Sequence, residues 1–586
     1  WTGNGDKTKG QANFLAPFFD YNKNGIYDPV SADGAHSDYP GYDLDDKDDY
    51  GGCREVGCTP VDQLYGDQTI WWVFNDKGHG NSHAHSGGIP IGLEIRAQAF
   101  GFLTDDDINN MTFYNFRIFN RSTFRLDSCY IGKFCDADLG DPLDDYAGCD
   151  VVRGLGYIYN GDNNDEISKQ GYGLNPPAVG IDFFRGPIAD TADKKDNNRN
   201  CNVDEECEQI IMSKFVYFTN ANPDQSMSDP NTPVEFYNYL KGRWADGAPF
   251  TYGGNGKNGT VLTSFCFPGN SDNHDWGTGG NCSTTPTLPL WDEATVNNTR
   301  GDRRFVQTAG PFTLMSGAVN VITTGVVWAR ASSGGAMASV SLLRVVDDKA
   351  QSIFDNCFKV LDGPDAPDLT IQEMDKELIL YITNKPTSNN YLEKYEELDP
   401  MISLMDSSGS PINVDKTYNF EGYKIYQLKN VAVSANDLDN SDKAILVAQC
   451  DIKNNASRII NFEFDESLGA SVPKEKVKGN NTGIVHSIRI NQDAFAKGDR
   501  TLINHKTYYF MAMAYGFNEF KPYKEDITPD KKNPMSPASD GQKRPYKQGR
   551  KNVKVCFAIP HFFVQEAGGT TIQPFGSSPM IKRIEG

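Results

Sequence analysis

Asp20, Asn22, Asn24, Ile26 and Asp28, in the string DYNKNGIYD, place an oxygen donor at every second residue. Carboxylates and amides at that spacing wrap a hard cation of calcium size, with Gly25 allowing the sharp turn and Ile26 offering its carbonyl. The twelfth position of such a loop ordinarily carries a bidentate carboxylate, and here it is Ser31. The closing ligand must therefore come from elsewhere, with Asp33 and Asp38 at hand. Asp196, Asn198, Asn200, Asn202, Asp204 and Glu205 repeat the same spacing, with Cys201 where glycine is preferred. Asp162, Asn164 and Glu166 make a shorter third candidate. Asp136, Asp138, Asp141, Asp144 and Asp145 (DADLGDPLDDY) make a fourth. The competing reading of all four is an acidic, Asx-rich turn that caps itself by local hydrogen bonds and is otherwise solvated.

Clustered carboxylates repel one another without a cation, so ion binding would tie these loops down and couple metal affinity to stability. Calcium is thus expected as a structural cofactor. His79, His83 and His85 (GHGNSHAH) are the one group that suggests a transition metal or a catalytic centre. They lie in a Gly- and Ser-rich stretch without an H-E-x-x-H spacing, which favours a polar surface loop. Phosphate-cradling glycine loops, G-x-S-x-G elbows and kinase signatures do not occur. The expectation is a protein without catalysis. A metal-dependent hydrolase using these histidines is the alternative, and a carboxylate pair for glycoside hydrolysis could sit among so many acids. Tyr39, Tyr42, Trp276 and Trp291, in glycine-rich surroundings, could stack on sugar rings, which makes a glycan-binding module the third reading.

The 586 residues carry 78 acidic and 56 basic side chains, a formal net charge of -22. That surplus argues against nucleic acid or an anionic membrane face as partner and in favour of divalent cations. No apolar run approaches the roughly 18–20 residues of a spanning helix. Twelve cysteines, none in C-x-x-C, several close in sequence (Cys53 with Cys58, Cys201 with Cys207, Cys266 with Cys282), fit disulfide-stapled loops in an exported protein better than a zinc site. Their connectivity is not readable from spacing. Trp1 at the start and IKRIEG at the end suggest a piece of a longer precursor.

The elements that would position these loops are strands. Short aromatic and β-branched runs recur between Gly, Asn, Asp and Pro clusters: Thr69 to Asn75, Gly92 to Phe102, Asn110 to Asn120, Phe215 to Thr219 and Val319 to Ala329. Within Thr112 to Phe119, Tyr114, Phe116 and Ile118 alternate with Asn115 and Arg117, as in a half-buried antiparallel strand. From Ser339 to Leu361 the period changes. Leu342, Val345, Val346, Ala350, Ile353, Phe354 and Val360 predict an amphipathic helix, ended at Gly363-Pro364. Beyond it, Glu373 to Thr383, Gly422 to Leu428, Lys443 to Ile452, Thr507 to Tyr515 and Asn552 to Ile559 read as strands. The GYKIYQL and TYYFMAMAY strands resemble the fibronectin type III pattern, interrupted by an insertion over about Ser434 to Lys497.

Several strings taken together, among them APFFDYNKNGIYDP, GDQTIWWVFND, PIGLEIRAQAF, GLNPPAVGIDFFRGP, FEGYKIYQLKN and NHKTYYFMAMAYGFN, resemble large cell-surface proteins that Bacteroidota export through the type IX secretion system. The resemblance spans nearly the whole chain, and it implies surface attachment or release, with the C-terminal sorting domain outside these residues. The expected architecture is all-β. A calcium-binding, sandwich or jelly-roll-like domain with long loops occupies 1–335, a linking helix 336–362, a fibronectin type III-like sandwich 363–565, and the start of a following segment 566–586. The expected role is structural or adhesive, at the extracellular face of the outer membrane. Expected partners are other surface proteins or further copies of the chain, with glycans a further possibility and no membrane span.

Overall fold

The computed structural model describes residues 18–24, 37–40, 55–56, 58–60, 64–76, 82–83, 85–104, 107–220, 222–399, 402, 414–465, 470–520 and 542–562. It is all-β in class, with 38% strand. The chain divides into two units, Trp1–Val360 and Leu361–Gly586.

In the first unit, β1 (Gln68–Asn75), β2 (Leu93–Gly101) and β3 (Thr112–Asn120) form an antiparallel meander. After β4 (Leu126–Asp136) come β5 (Asp145–Asp150), β6 (Leu155–Asn160) and β7 (Ala178–Arg185), a second meander. Strands β8 (Lys214–Phe218), β9 (Arg304–Leu314) and β10 (Val319–Ala329) follow. β10 inserts between the two meanders, pairing Val326 with Thr112 on one side and Ala329 with Ala178 on the other. The result is a seven-stranded sheet in the order β1-β2-β3-β10-β7-β6-β5, with a separate three-stranded sheet β8-β9-β4.

One apolar core joins the two sheets, drawing Ile158 from β6, Phe183 from β7, Ile322 from β10, Phe215 from β8 and Phe305 from β9. Strand alternation sends the other face of the large sheet against α1 (Ala336–Asp355). Gly180 is where the helix comes close: a Cβ there would stand 2.7 Å from Leu155 Cδ1 and 3.3 Å from Leu343 Cδ2. Phe184 stacks on Phe354 at 5.9 Å, and Phe113 meets Phe358 at 5.0 Å.

Two expectations change here. The helix read as a linker is a layer of the first unit, packed on its sheet. Its buried face carries Val340, Leu343, Val346, Asp347, Ala350 and Ile353, while Leu342 and Val345 are exposed. Asp347 in the middle of the stripe disguises that face in the sequence. The strand Thr112–Asn120, expected to be half-buried with one buried face, has buried residues on both: Ile118 enters the inter-sheet core and Phe113, with no exposed surface, sits beneath the helix region, while Tyr114 to Arg117 stay partly exposed.

The second unit has β11 (Asp368–Met374), β12 (Glu377–Thr383), β13 (Thr417–Leu428), β14 (Ala444–Asp451), β15 (Arg458–Asp465), β16 (Ala470–Lys478), β17 (Ser487–Ile490), β18 (Tyr508–Phe517), β19 (Tyr546–Gln548) and β20 (Cys556–Ala558). One sheet is β11-β12-β17. The other places β13 between β14 and β18, with β19 and β20 on the far edge of β18. Leu378, Leu380 and Ile382 from the first sheet pack with Tyr423, Ile425, Phe510 and Ala512 from the second. The segment Glu373 to Thr383, expected as one strand, is a hairpin turning at Asp375-Lys376, where Lys376 has φ 54. The region from Ser434 to Lys497, read as an insertion, contains β14, the β15-β16 hairpin and β17. Of the Pro-, Lys- and Ser-rich stretch Asp526 to Gln548, which reads as a surface excursion, residues 526–541 lie outside the described residues and the end forms β19.

Candidate metal centres

The loop at 196–205 is wound in the form its spacing suggests. The backbone N–H of Asn200 donates to Asp196 Oδ1 at 3.0 Å and to Asn198 Oδ1 at 3.0 Å. Arg199 and Cys201 take φ of 58 and 77. Cys201 thus adopts the left-handed conformation for which glycine is ordinarily chosen, at some cost in strain. The carboxylate of Glu205 closes over the loop, accepting from the amides of Asn198 (3.0 Å), Asn200 (2.5 Å) and Asn202 (3.3 Å). The Asn198 and Asn200 amides hold the Glu205 carboxyl below its ordinary range. A half-rotation of the same amides would present oxygens instead of N–H groups. Asp204 faces elsewhere and accepts from the Lys194 N–H at 3.0 Å.

Staples fasten this loop. Cys201 is bonded to Cys282, and Cys207 to Cys58. The bonds thus link distant segments, and the sequence neighbours Cys201 and Cys207 belong to different bridges. Cys266, close to Cys282 in sequence, is a buried free thiol. Asp196 Oδ2 lies 3.9 Å from Cys282 Sγ, but disulfide sulfurs are not thiolate ligands. The loop's donors are all oxygens. Arg199 anchors it from below, donating to Met212 O at 2.5 Å, with its guanidinium 5.0 Å from the Phe265 ring centroid.

The N-terminal loop shares this winding where it is described. Asn24 N–H donates to Asp20 Oδ1 (3.2 Å) and Asn22 Oδ1 (2.9 Å), and Lys23 has φ 60. The buried Asp38 accepts from the Tyr21 N–H at 2.9 Å, which brings it to this loop. Ile26, Asp28, Ser31 and Asp33 lie outside the described residues.

The third and fourth candidates are regrouped by the fold. Asp162 pairs with Arg300 at 2.5 Å, and its Oδ1 accepts from the Asn164 N–H at 2.8 Å. The side chain of Asn164 is exposed. Glu166 instead gathers with Asp141 and Asp144, their ligand oxygens all within 4.8 Å of one another. Burial, then the charge of Asp165 and contact with Glu166, pushes the Asp144 carboxyl up to about 7. Asp145, next to it, is pushed up to about 9, chiefly by burial. Asp136 and Asp138 gather with Asp302, beside Arg304, which pairs with Asp136 at 3.1 Å and Asp229 at 2.7 Å. An arginine thus already neutralises part of that group. Asp165 and Asp302 escaped the sequence reading. Asp165 falls between Asn164 and Glu166 of the third candidate, but its place behind the site depends on two turns meeting.

His83 lies in a tight turn, its N–H bonded to Gly88 O at 2.7 Å, and His85 packs edge-on against Phe236. His79 is outside the described residues. Trp291, offered as a sugar-stacking surface, is 1% exposed: its ring packs on Tyr252 and Phe267, and Nε1 donates to Gly254 O at 2.9 Å. Trp276 is partly buried, packed against the core of the first unit.

Among the described residues no helix is long and apolar enough to cross a membrane. No family model matches the chain, and neither curated proteins nor solved structures yield a match.

Proposed function

We propose that the chain is a secreted or cell-surface structural or adhesive protein of an extracellular assembly, exported as type IX cargo, whose long loops are made rigid by bound calcium. The observation that carries this reading is the 196–205 loop. It pairs alternate oxygen donors with a left-handed backbone at Arg199 and Cys201 and a carboxylate poised over the donors. The disulfides Cys58–Cys207 and Cys201–Cys282 support an oxidising compartment. The net charge of -22 supports cations over nucleic acid as partners. The strand order in the second unit, three strands facing a sheet built on β13 and β18, supports a fibronectin type III-like module, a common spacer of surface proteins.

The test has two arms. Elemental analysis of purified protein should find calcium, and a chelator should lower the melting temperature. Imaging of material taken directly from cells should show the chain in ordered surface assemblies. Bound zinc or iron, with turnover of esters, peptides or glycans, would replace this reading with a hydrolase.

A further inference from the structure

We infer that Asp141, Asp144 and Glu166 form a buried site for a hard divalent cation, calcium foremost, which clamps the 137–144 turn to the 161–171 turn. The inference rests on the calcium reading above, and it adds a site of another kind. Its donors come from two separate turns joined by the fold, not from one loop of alternating residues.

The three ligand oxygens lie within 4.8 Å of one another. Asp144 is only 8% exposed, and neither of its carboxylate oxygens has a hydrogen-bond partner. A carboxylate removed from water without a donor is costly, and it is relieved either by a proton shared with its neighbour Glu166 or by a cation held between the two. Nearby, Asp145 Oδ1 and Asn160 Oδ1 are likewise buried without a partner. One cation already touches the site and a second is committed elsewhere. Lys169 reaches Asp141 Oδ2 at 2.6 Å from a side chain that is 56% exposed, so it can swing away, and Arg300 holds Asp162. Asp165 is fixed behind the site, its two oxygens accepting from the N–H groups of Asp141 (3.0 Å) and Tyr172 (2.8 Å), and it adds negative potential. An all-carboxylate donor set suits calcium or magnesium and not a soft metal.

The site also reaches the helix. The 161–175 segment supplies the caps of α1, since Ala336 N–H donates to Asn163 Oδ1 (3.1 Å) and Gly335 N–H to Asn175 Oδ1 (3.0 Å). Filling the site would hold in place the turn that caps the helix.

The experiment measures calcium bound per chain, by equilibrium dialysis and elemental analysis, on the whole 586-residue chain after stripping with a chelator. Three proteins are compared: the unaltered chain, Asp144→Asn with Glu166→Gln, and Asp196→Asn with Glu205→Gln. The first double variant should lose one ion and keep the loop ion, and the second should do the reverse. Folding is read from melting in chelator. Neutralising the buried acids should leave the first variant at or above the unaltered chain there, while shrinking its gain from calcium. Competition by magnesium for the same ion supports the site. Equal binding by the first variant, with one ion lost from the second, overturns this inference and leaves the loop reading intact. If the unaltered chain binds no calcium, both fall.

Discussion

The sharpest energetics at the scale of single residues are those of buried charge. Glu293 has no exposed surface and is held by Arg303 through Nε at 3.0 Å and Nη2 at 2.7 Å, with the Ala147 N–H a third donor at 2.7 Å. Removing one partner of such a pair strands the other. Arg303→Met should lower stability by about 3–5 kcal/mol, and adding Glu293→Gln should restore part of it, as read from urea unfolding. A second group titrates. Asp182 and Asp347, each 1% exposed, face one another with Asp150, Asp348 and Arg153 nearby. Burial first, then neighbouring carboxylates, pushes both carboxyls well above the ordinary 3.8, while Arg153 pulls the other way. A raised carboxyl keeps its proton in the fold and releases it on unfolding, so its contribution is full below 3.8 and is lost as pH climbs toward the folded value. Melting temperature in chelator should therefore fall as pH rises above 3.8, and Asp347→Asn should flatten the slope. An unchanged slope in that variant would refute the assignment.

Among the elements, the helix and the stapled loop lend themselves to direct tests. Leu343 has no exposed surface and sits over Gly180, so Leu343→Ala should cost about 2–5 kcal/mol. Gly180→Val should be worse tolerated still, because its Cβ would meet Leu155, Gly156 O and Leu343 within 3.3 Å. Both are measured by denaturant midpoints of the first unit. The Cys201–Cys282 bridge joins residues 81 apart and holds the sharp turn of the 196–205 loop. Cys201→Ser with Cys282→Ser should lower stability by about 2–5 kcal/mol and weaken calcium binding at that loop, by calorimetric titration. The strands themselves were readable because their runs are aromatic and β-branched with period two. The helix was readable as a helix and in part by its face: Val346, Ala350 and Ile353 are buried as expected, but a buried aspartate interrupts the apolar stripe and Leu342 and Val345 lie on the solvent side.

For the whole molecule, the two units keep separate cores, one around Phe215 and Phe305 and the other around Tyr423 and Phe510. The candidate cation loops at 20–24, 141–166 and 196–205 all belong to the first. Scanning calorimetry of the full chain should resolve two transitions, of which calcium raises one and leaves the other in place. A shift of both together would mean that the units unfold as one.

Composition and local period by themselves determined the all-β class, the positions of most strands and the acidic loops worth attention, because alternation and turn chemistry act over a few neighbouring residues. Tertiary structure alone decided the rest. It set the strand order, which inserts β10 between two meanders far apart in the chain. It set the disulfide pairing, which ignores sequence neighbours. It also set the regrouping of Asp141 and Asp144 with Glu166, because which carboxylates share a cavity depends on where two turns are carried by the sheet that bears them.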